Sequence, residues 1–349
     1  MNFNKILKVK DKVISDKSPT FIIAEAGVNH GGNMNVAKKL IEIAANAGAD
    51  AVKFQTFKSE NLILKDVKKA PYQQKTTSTE ESQLDMLKKL EVSREQNLEL
   101  KRYCEEKNII FLTTPFDESS LDEIDELDLP AYKVASTDTT NLPFLKKIAK
   151  KGKPMFLSTG MTYLAEVQMA LGTINEYNQD VVLLQCTANY PIADSEANLS
   201  VINTFKNHFD ILVGYSDHTE GTGAAAFAIP MGAKVVEKHF TLDKSLVGPD
   251  HRASLSPEEL KDFVETVRKV DAYMGSPIKK PNLSETKTRA SLQKCLVAQC
   301  IIQKGALFSE DNIIAKRTGG IGISPIYYQD LIGKVANKIY SIDEIISND

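Results

Sequence analysis

Eight short apolar runs, each followed by a turn signal and a stretch of helical periodicity, constrain this chain's fold more than any other feature. They are Thr20–Glu25, Ala49–Gln55, Ile109–Thr114, Ala131–Ser136, Met155–Ser158, Val181–Thr187, Ile211–Ser216 and Lys234–His239. Continuous Val, Ile, Leu and Phe suit parallel strands covered on both faces. The helical segments carry their own end signals. In Asn35–Ala47, the residues Val36, Leu40, Ile43, Ala44 and Ala47 share a face, and Gly48 supplies the stop. Ser93 with Gln96 makes a capping box. Asn141 can cap Leu142–Lys151, which Gly152 and Pro154 end. Ser256-Pro257-Glu258-Glu259 joins a cap, a first-turn proline and a capping-box Glu.

Strands alternating with helices over about 270 residues predict an α/β fold of the TIM (β/α)8 type. The rival is a doubly wound open sheet, which carries a glycine-rich dinucleotide turn after its first strand. Ala24-Glu25-Ala26-Gly27-Val28-Asn29-His30-Gly31-Gly32 lacks that spacing. The polar, weakly periodic stretch Lys58–Glu81 is expected to be a long active-site loop. Residues 1–18 are expected to form a hairpin (Leu7–Val9, Val13–Ser15) across the barrel floor. After Met274 the texture changes, and Gly275–Thr288 is polar with two prolines. The expected division is a barrel over 1–275, a linker over 276–289 and a second module over 290–349. That module opens with a strand at Ser291–Ile302 and carries a Gly-rich stretch at Lys316–Ile323.

Composition excludes several partner classes. Over 349 residues, 43 basic against 46 acidic side chains leave a net charge of −3, which is no footprint for nucleic acid. No apolar run approaches the ~20 residues of a membrane helix, and Met1–Lys12 lacks a signal-peptide core. Cys104, Cys186, Cys295 and Cys300 form no CxxC pair, so reduced thiols in a cytoplasmic protein are expected. Cys186, inside an apolar run, reads as packing.

Chemistry in such a barrel sits at the C-terminal strand ends. Of the five histidines, His30, His218, His239 and His251 fall at predicted strand ends or just after them, and His208 does not. His218 and His239 end neighbouring strands. His239 shares parity with Val235 and Glu237, and His218 with Ser216 and Gly214. Two such imidazoles suit a divalent metal with open positions; the alternative is a pair of hydrogen-bonded rim histidines. Lys53 and Lys133 lie inside strands, where an ammonium is costly unless paired. An anionic ligand would justify them, as would a carboxylate such as Glu25. Lys53 shares parity with Gln55. Lys133 and Ser136 have opposite parity, so both reach one ligand only if their strand twists or bulges. Thr114, Ser136, Ser158 and Ser216 can cradle phosphate oxygens or merely cap helices. Glu25 is either a general acid/base or a counter-ion. Asp250 and His251 either reach substrate hydroxyls or hold their turn. The residues by themselves point to a metal-assisted enzyme acting on an anionic, phosphorylated small molecule.

The chain also resembles the sialic acid synthase family along nearly its whole length. The motifs are Ile22–Gly32, Val52–Gln55, Thr113–Phe116, Tyr132–Ser136, Leu157–Met161, Cys186-Thr187, Tyr190-Pro191, Gly214–Thr219, Glu237–Thr241 and Gly248–His251, with Lys316-Arg317 and Gly319–Ile323 in an antifreeze-like (SAF) tail. The resemblance implies condensation of phosphoenolpyruvate with an N-acetylmannosamine-type aldose, with release of phosphate. It implies a homodimer whose antifreeze-like module reaches over the partner's barrel mouth, bringing Arg317. His218 and His239 would hold Mn²⁺, with Mg²⁺ or Co²⁺ as alternatives. Lys53, Thr114, Lys133, Ser136, Ser158 and Ser216 would line the phosphoenolpyruvate site, Gln55 would also bind substrate, and Glu25 would sit beside the reacting carbons. Asp138, Tyr190 and Asp250 would face the sugar. Two departures bear on the acceptor. Ser136-Thr137-Asp138 stands where neuraminate-making members often have Ser-Gly-Glu, and Ala188 replaces an Asn of some members. The expected activity is of the N-acetylneuraminate synthase type. The alternative is an N,N'-diacetyllegionaminate synthase using 2,4-diacetamido-2,4,6-trideoxymannose, with a pseudaminic-type acceptor third. A non-catalytic sugar-binding barrel and another metal-dependent phosphoenolpyruvate-condensing barrel are the competitors from outside.

Overall fold

Each apolar run becomes a parallel strand in the computed structural model, which describes residues 1–70, 74, 77 and 81–347. An antiparallel hairpin of β1 (Ile6–Val9) and β2 (Lys12–Ser15) comes first. The parallel strands are β3 (Phe21–Gly27), β4 (Ala51–Thr56), β5 (Ile110–Pro115), β6 (Tyr132–Val134), β7 (Met155–Ser158), β8 (Val181–Cys186), β9 (Leu212–Asp217) and β10 (Ala233–His239). They hydrogen-bond in the order β5-β4-β3-β10-β9-β8-β7-β6, and the end strands β5 and β6 lie against each other. The first strand of the set thus pairs with the last, which an open doubly wound sheet does not do, and the sheet nearly closes into a TIM-type barrel.

The helices start and stop where local chemistry directs. Asn33 caps the helix Met34–Ala47, and Gly48 ends it in the left-handed region at φ 83°. Ser93 and Ser256 close full capping boxes, and the Asn141 side chain accepts from the Phe144 amide.

Alternation along the strands sorts the side chains into two sets. Ile22, Val52, Phe111 and Val236 face outward onto the helices. Phe21, Ile23, Ala51, Leu112, Phe156 and Val235 fill the barrel's lower interior, together with Leu7, Val9 and Ile14 of the hairpin. The floor is therefore closed by β1 and β2. Higher up, the inward positions turn polar, and the site begins there. Gly214 belongs to the packed layer. A Cβ on it would lie 2.4 Å from Leu184 Cδ2 and 2.5 Å from the Val235 carbonyl oxygen. Gly214→Ala is expected to lose about 1–3 kcal/mol by overpacking, read as a lower urea midpoint at unchanged m-value.

Three expectations need correction. Strand β6 stops at Val134, and a 3₁₀ turn runs Ser136–Asp138. The direction of Ser136 is set by that turn and not by the pleat, which removes the parity conflict with Lys133. The Lys58–Glu81 stretch is not wholly loop. It contains the short helix Ser59–Leu62, and residues 71–73, 75–76 and 78–80 lie outside the described residues. Finally, the polar segment after Met274 is partly helical, because Asn282 and Glu285 start a turn (Asn282 N to Glu285 Oε2, 2.8 Å) that leads into the helix Thr286–Leu292. The next strand, β11 (Lys294–Ala298), starts after Ser291 for that reason.

The chain divides into two compact units, Met1–Gly275 and Ser276–Asp349. The second pairs β11 with β12 (Ile313–Arg317) antiparallel and has its own core of Leu296, Ile302, Phe308, Ile313, Tyr340 and Ile346. Among the described residues, no helix is long and apolar enough to cross a membrane.

Candidate active site at the barrel mouth

A cavity of about 710 Å³ opens at the C-terminal ends of the strands. β3 supplies Glu25, β4 Lys53 and Gln55, and β5 Thr114. Lys133 comes from β6, Ser136 and Asp138 from the turn after it, and Ser158 from β7. Ser216 of β9 and His239 of β10 complete the ring, with Tyr190, His218 and Asp250 on the following loops. The cavity thus gathers the first unit's candidate metal, phosphoenolpyruvate and sugar residues, whereas His30 and His251 do not line it. Arg317 lies apart from this list. It is exposed at the end of β12 in the second unit, in register with Lys294.

The charged centre is a buried array of two ammoniums and two carboxylates. Lys53 Nζ lies 2.9 Å from Glu25 Oε2 and 3.7 Å from Glu237 Oε2, and donates to Thr114 Oγ1 at 2.8 Å. Lys133 Nζ lies 3.5 Å from Glu237 Oε1 and donates to Ser158 Oγ at 2.8 Å. Ser216 Oγ donates to Glu237 Oε1 at 2.9 Å, and Gln55 Nε2 to Glu25 Oε1 at 3.1 Å. The two carboxylates have different surroundings. Burial raises both, but Glu237 sits between the two lysines, which outweigh burial and hold it at about 2. Glu25 has burial and the Glu237 charge against it and one lysine, Lys53, with the weaker Gln55 hydrogen bond for it, so it rises to about 7. A pair of carboxyls pushed apart in this way separates an electrostatic partner from an acid/base group that can change state near neutrality. Burial lowers Lys133 from the ordinary ammonium range, whereas the Glu237 and Glu25 charges outweigh burial at Lys53 and raise it.

The histidine pair forms the opposite wall. The His218 and His239 ring centroids are 5.5 Å apart, and the Tyr190 ring lies 4.0 Å from His218. His218 Nδ1 is 2.8 Å from the Thr187 carbonyl oxygen, an acceptor only, so Nδ1 carries a proton; burial lowers this imidazole, but the Cys186 sulfur and the Thr187 carbonyl beside it outweigh burial and raise it. Burial, with His218 and Lys53 near, keeps His239 well below the ordinary imidazole range. Its Nδ1 is buried without a hydrogen-bond partner, with Asp250 Oδ2 at 3.9 Å. Two adjacent imidazoles, one held through Nδ1 by a carbonyl and one with an orphaned ring nitrogen, fit a divalent cation that displaces any proton on His218 Nε2 and takes its remaining ligands from water and substrate. Burial raises the Asp250 carboxyl to about 6. Its backbone is tied down, since its carbonyl accepts from Ser254 Oγ at 2.7 Å, and Ser254 Oγ accepts from Asn29 at 2.9 Å. His251 holds the turn through Thr241 Oγ1 at 2.6 Å, and the His30 ring accepts from the Gly32 amide.

Sequence comparison agrees with this architecture. Residues 40–279 match the NeuB family profile. An N,N'-diacetyllegionaminic acid synthase from Campylobacter jejuni is 49% identical over 94% of this chain and 98% of its own length. The chain belongs to the NeuB family. Human N-acetylneuraminate-9-phosphate synthase is 38% identical over 92% of the chain and 89% of its own. Among solved structures, an N-acetylneuraminic acid synthetase from Leptospira borgpetersenii superposes with a TM-score of 0.73 at 33% identity, covering 83% of this chain and 98% of that one.

Sequence reading of this NeuB chain missed Glu237 as a site residue. Its one signal was inward parity with His239. What makes it central is the convergence of Lys53 and Lys133 from two other strands, which no local pattern carries. Cys186 was read as packing; it is buried, yet it lines the cavity with Sγ 3.8 Å from His218 Nδ1. Glu237→Ala is expected to cost about 3–5 kcal/mol, because two buried lysines lose their shared partner. Inorganic phosphate at 100 times its dissociation constant should restore about 2.7 kcal/mol. Urea unfolding with and without phosphate checks both.

Proposed function

We propose that this chain is a nonulosonic acid synthase that condenses phosphoenolpyruvate with 2,4-diacetamido-2,4,6-trideoxymannose, giving N,N'-diacetyllegionaminic acid and phosphate. The observation that carries the reading is the pairing, in one cavity, of the lysine–carboxylate array with the two adjacent imidazoles. The acceptor assignment reverses the order expected from the sequence, which put the neuraminate type first. It is supported by the 49% identity to a legionaminate-type relative against 38% to a neuraminate-phosphate type. An apolar arc of Val28, Phe57, Leu62, Ile63 and Phe116 on the cavity wall also suits an acceptor with a 6-methyl group and a second acetamido methyl.

In this reading Lys53 and Lys133, with the hydroxyls of Thr114, Ser158 and Ser216, bind the phosphate and carboxylate of phosphoenolpyruvate. His218 and His239 would hold a divalent ion, Mn²⁺ in our reading, which when bound supplies Lewis acidity for the acceptor's aldehyde. C3 of phosphoenolpyruvate bonds to the aldehyde carbon, and positive charge develops at C2. Glu25, ionised and beside Lys53, accepts a proton from the water whose oxygen adds to C2. The alkoxide left on the aldehyde carbon takes up the proton that Glu25 removed; the tetrahedral intermediate then breaks its C2–O bond to phosphate, which the lysines stabilise, and its C2 hydroxyl becomes the keto group as its proton passes to the departing phosphate. One water is consumed and one phosphate released. Asp138, Tyr190 and Asp250 orient the sugar. The reaction belongs in the cytoplasm, and the four free cysteines agree with a reducing compartment.

The test is phosphate release from phosphoenolpyruvate on addition of sugar, matched by equimolar nonulosonic acid. Sugar binding by calorimetry with no consumption of phosphoenolpyruvate would leave a binding barrel and sink the reading. The reading further holds that the working enzyme is a homodimer in which Arg317 comes from the second copy. Arg317→Ala and His239→Ala homodimers are then both inactive. Their co-expression should restore about a quarter of parental activity, since half the dimers are mixed and each mixed dimer has one intact site. No restoration would place Arg317 in the same copy's site, and an active Arg317→Ala homodimer would place it outside catalysis.

A further inference from the structure

His218 and His239 follow two residues that face the other way. Asp217 precedes His218 on β9, Lys238 precedes His239 on β10, and the two are register partners. Lys238 Nζ lies 3.2 Å from Asp217 Oδ2, with side chains 1% and 0% exposed. Both groups also grip one residue. Asp217 Oδ1 accepts from the Thr219 amide at 2.9 Å and from its hydroxyl at 2.7 Å, while Lys238 Nζ donates to the Thr219 carbonyl oxygen. The chain is therefore tied immediately before and after His218. The His218 carbonyl itself accepts from the Ile192 amide at 3.0 Å, and its ring is held by Thr187.

We propose that the buried Asp217–Lys238 pair is a clamp that positions His218 against His239. The inference rests on reading these histidines as cation ligands. Neighbouring outward positions on the same strands, Val213, Tyr215 and Val236, are packed into the apolar layer under the helices. An ion pair in such a layer is no better for stability than apolar side chains of the same volume. It does add directed bonds that fix the relative height of two strand ends. Successive strand residues point to opposite faces, so turning Asp217 or Lys238 turns the neighbouring imidazole. Asp217 and Lys238 touch no reacting atom; they are positioning residues.

The test uses the full chain with ¹⁵N-labelled histidine. It compares the parent with Asp217→Asn and with the double variant Asp217→Leu/Lys238→Met. In the metal-free parent His218 should show a single Nδ1–H tautomer. The double variant should keep its phosphate binding but melt lower, since the buried amide, hydroxyl and carbonyl of Thr219 lose their partners. Its His218 resonances should split or broaden, and its Mn²⁺ affinity, read by paramagnetic resonance titration, should fall about 10–100-fold, the size seen when ligand-orienting contacts are lost. Its kcat should fall more than its KM for phosphoenolpyruvate rises. Asp217→Asn keeps acceptors for Thr219 and should fall between parent and double variant; it carries the test if the double variant does not fold. Unchanged histidine spectra with Mn²⁺ affinity within about twofold of the parent would make the pair purely structural and overturn the clamp. Clamp-dependent histidine spectra in a parent that binds no Mn²⁺ would support the clamp and sink the metal reading instead.

Discussion

His239→Ala is expected to lower kcat by about 10³-fold or more while leaving the barrel folded. A cation at this pair would contribute several kcal/mol of charge stabilisation, and each 1.36 kcal/mol is about tenfold in rate. The structural cost should be small. The imidazole lines an open cavity, and its Nδ1 has no hydrogen-bond partner to be orphaned. His218→Ala should lose as much activity but also about 0.5–1.5 kcal/mol of stability, because the half-buried Thr187 carbonyl loses its donor. Turnover, Mn²⁺ binding and urea midpoints of the two variants check this contrast. Full turnover in either variant would remove the histidines from catalysis.

Glu25→Gln should lower kcat by about 10²–10⁴-fold, the usual contribution of a positioned general acid or base. The KM for phosphoenolpyruvate should change little, since Lys53 keeps Glu237 and Thr114 as partners. Stability should move the other way, with a sign set by the raised carboxyl. The folded chain holds this proton up to about 7, while an unperturbed carboxyl releases it near 4.5. Between those values the unfolded state binds fewer protons than the folded one, so this group makes stability fall as pH rises. Gln cannot ionise. The variant should therefore match the parent below pH 4.5 and exceed it above pH 7. Urea titrations at those two pH values, beside phosphate-release kinetics, separate the two effects. A variant with parental kcat would reduce Glu25 to a counter-ion of Lys53.

Much of this was legible because a barrel repeats one rule. Apolar runs of strand length, each with a capped helix after it, gave the ring, and hydroxyl, amine and imidazole side chains at the run ends marked the mouth. What escaped depended on geometry across the ring or on where a strand stops. Glu237 matters only because Lys53 and Lys133 converge on it from β4 and β6. Ser136 joins Lys133 only because β6 gives way to a 3₁₀ turn after three residues. The Thr286–Leu292 helix was hidden by a polar, proline-flanked composition, although Asn282 and Glu285 carry a cap signal. Acceptor identity was least legible. Asp138 and Tyr190 reach the cavity from connecting segments, where neither period nor parity directs a side chain.

The most direct test of the central claim is the specificity constant for two acceptors, measured by phosphate release from phosphoenolpyruvate with Mn²⁺. The account predicts a kcat/KM for 2,4-diacetamido-2,4,6-trideoxymannose at least about tenfold above that for N-acetylmannosamine, the discrimination one or two buried methyl contacts can supply. A higher value for N-acetylmannosamine would contradict it.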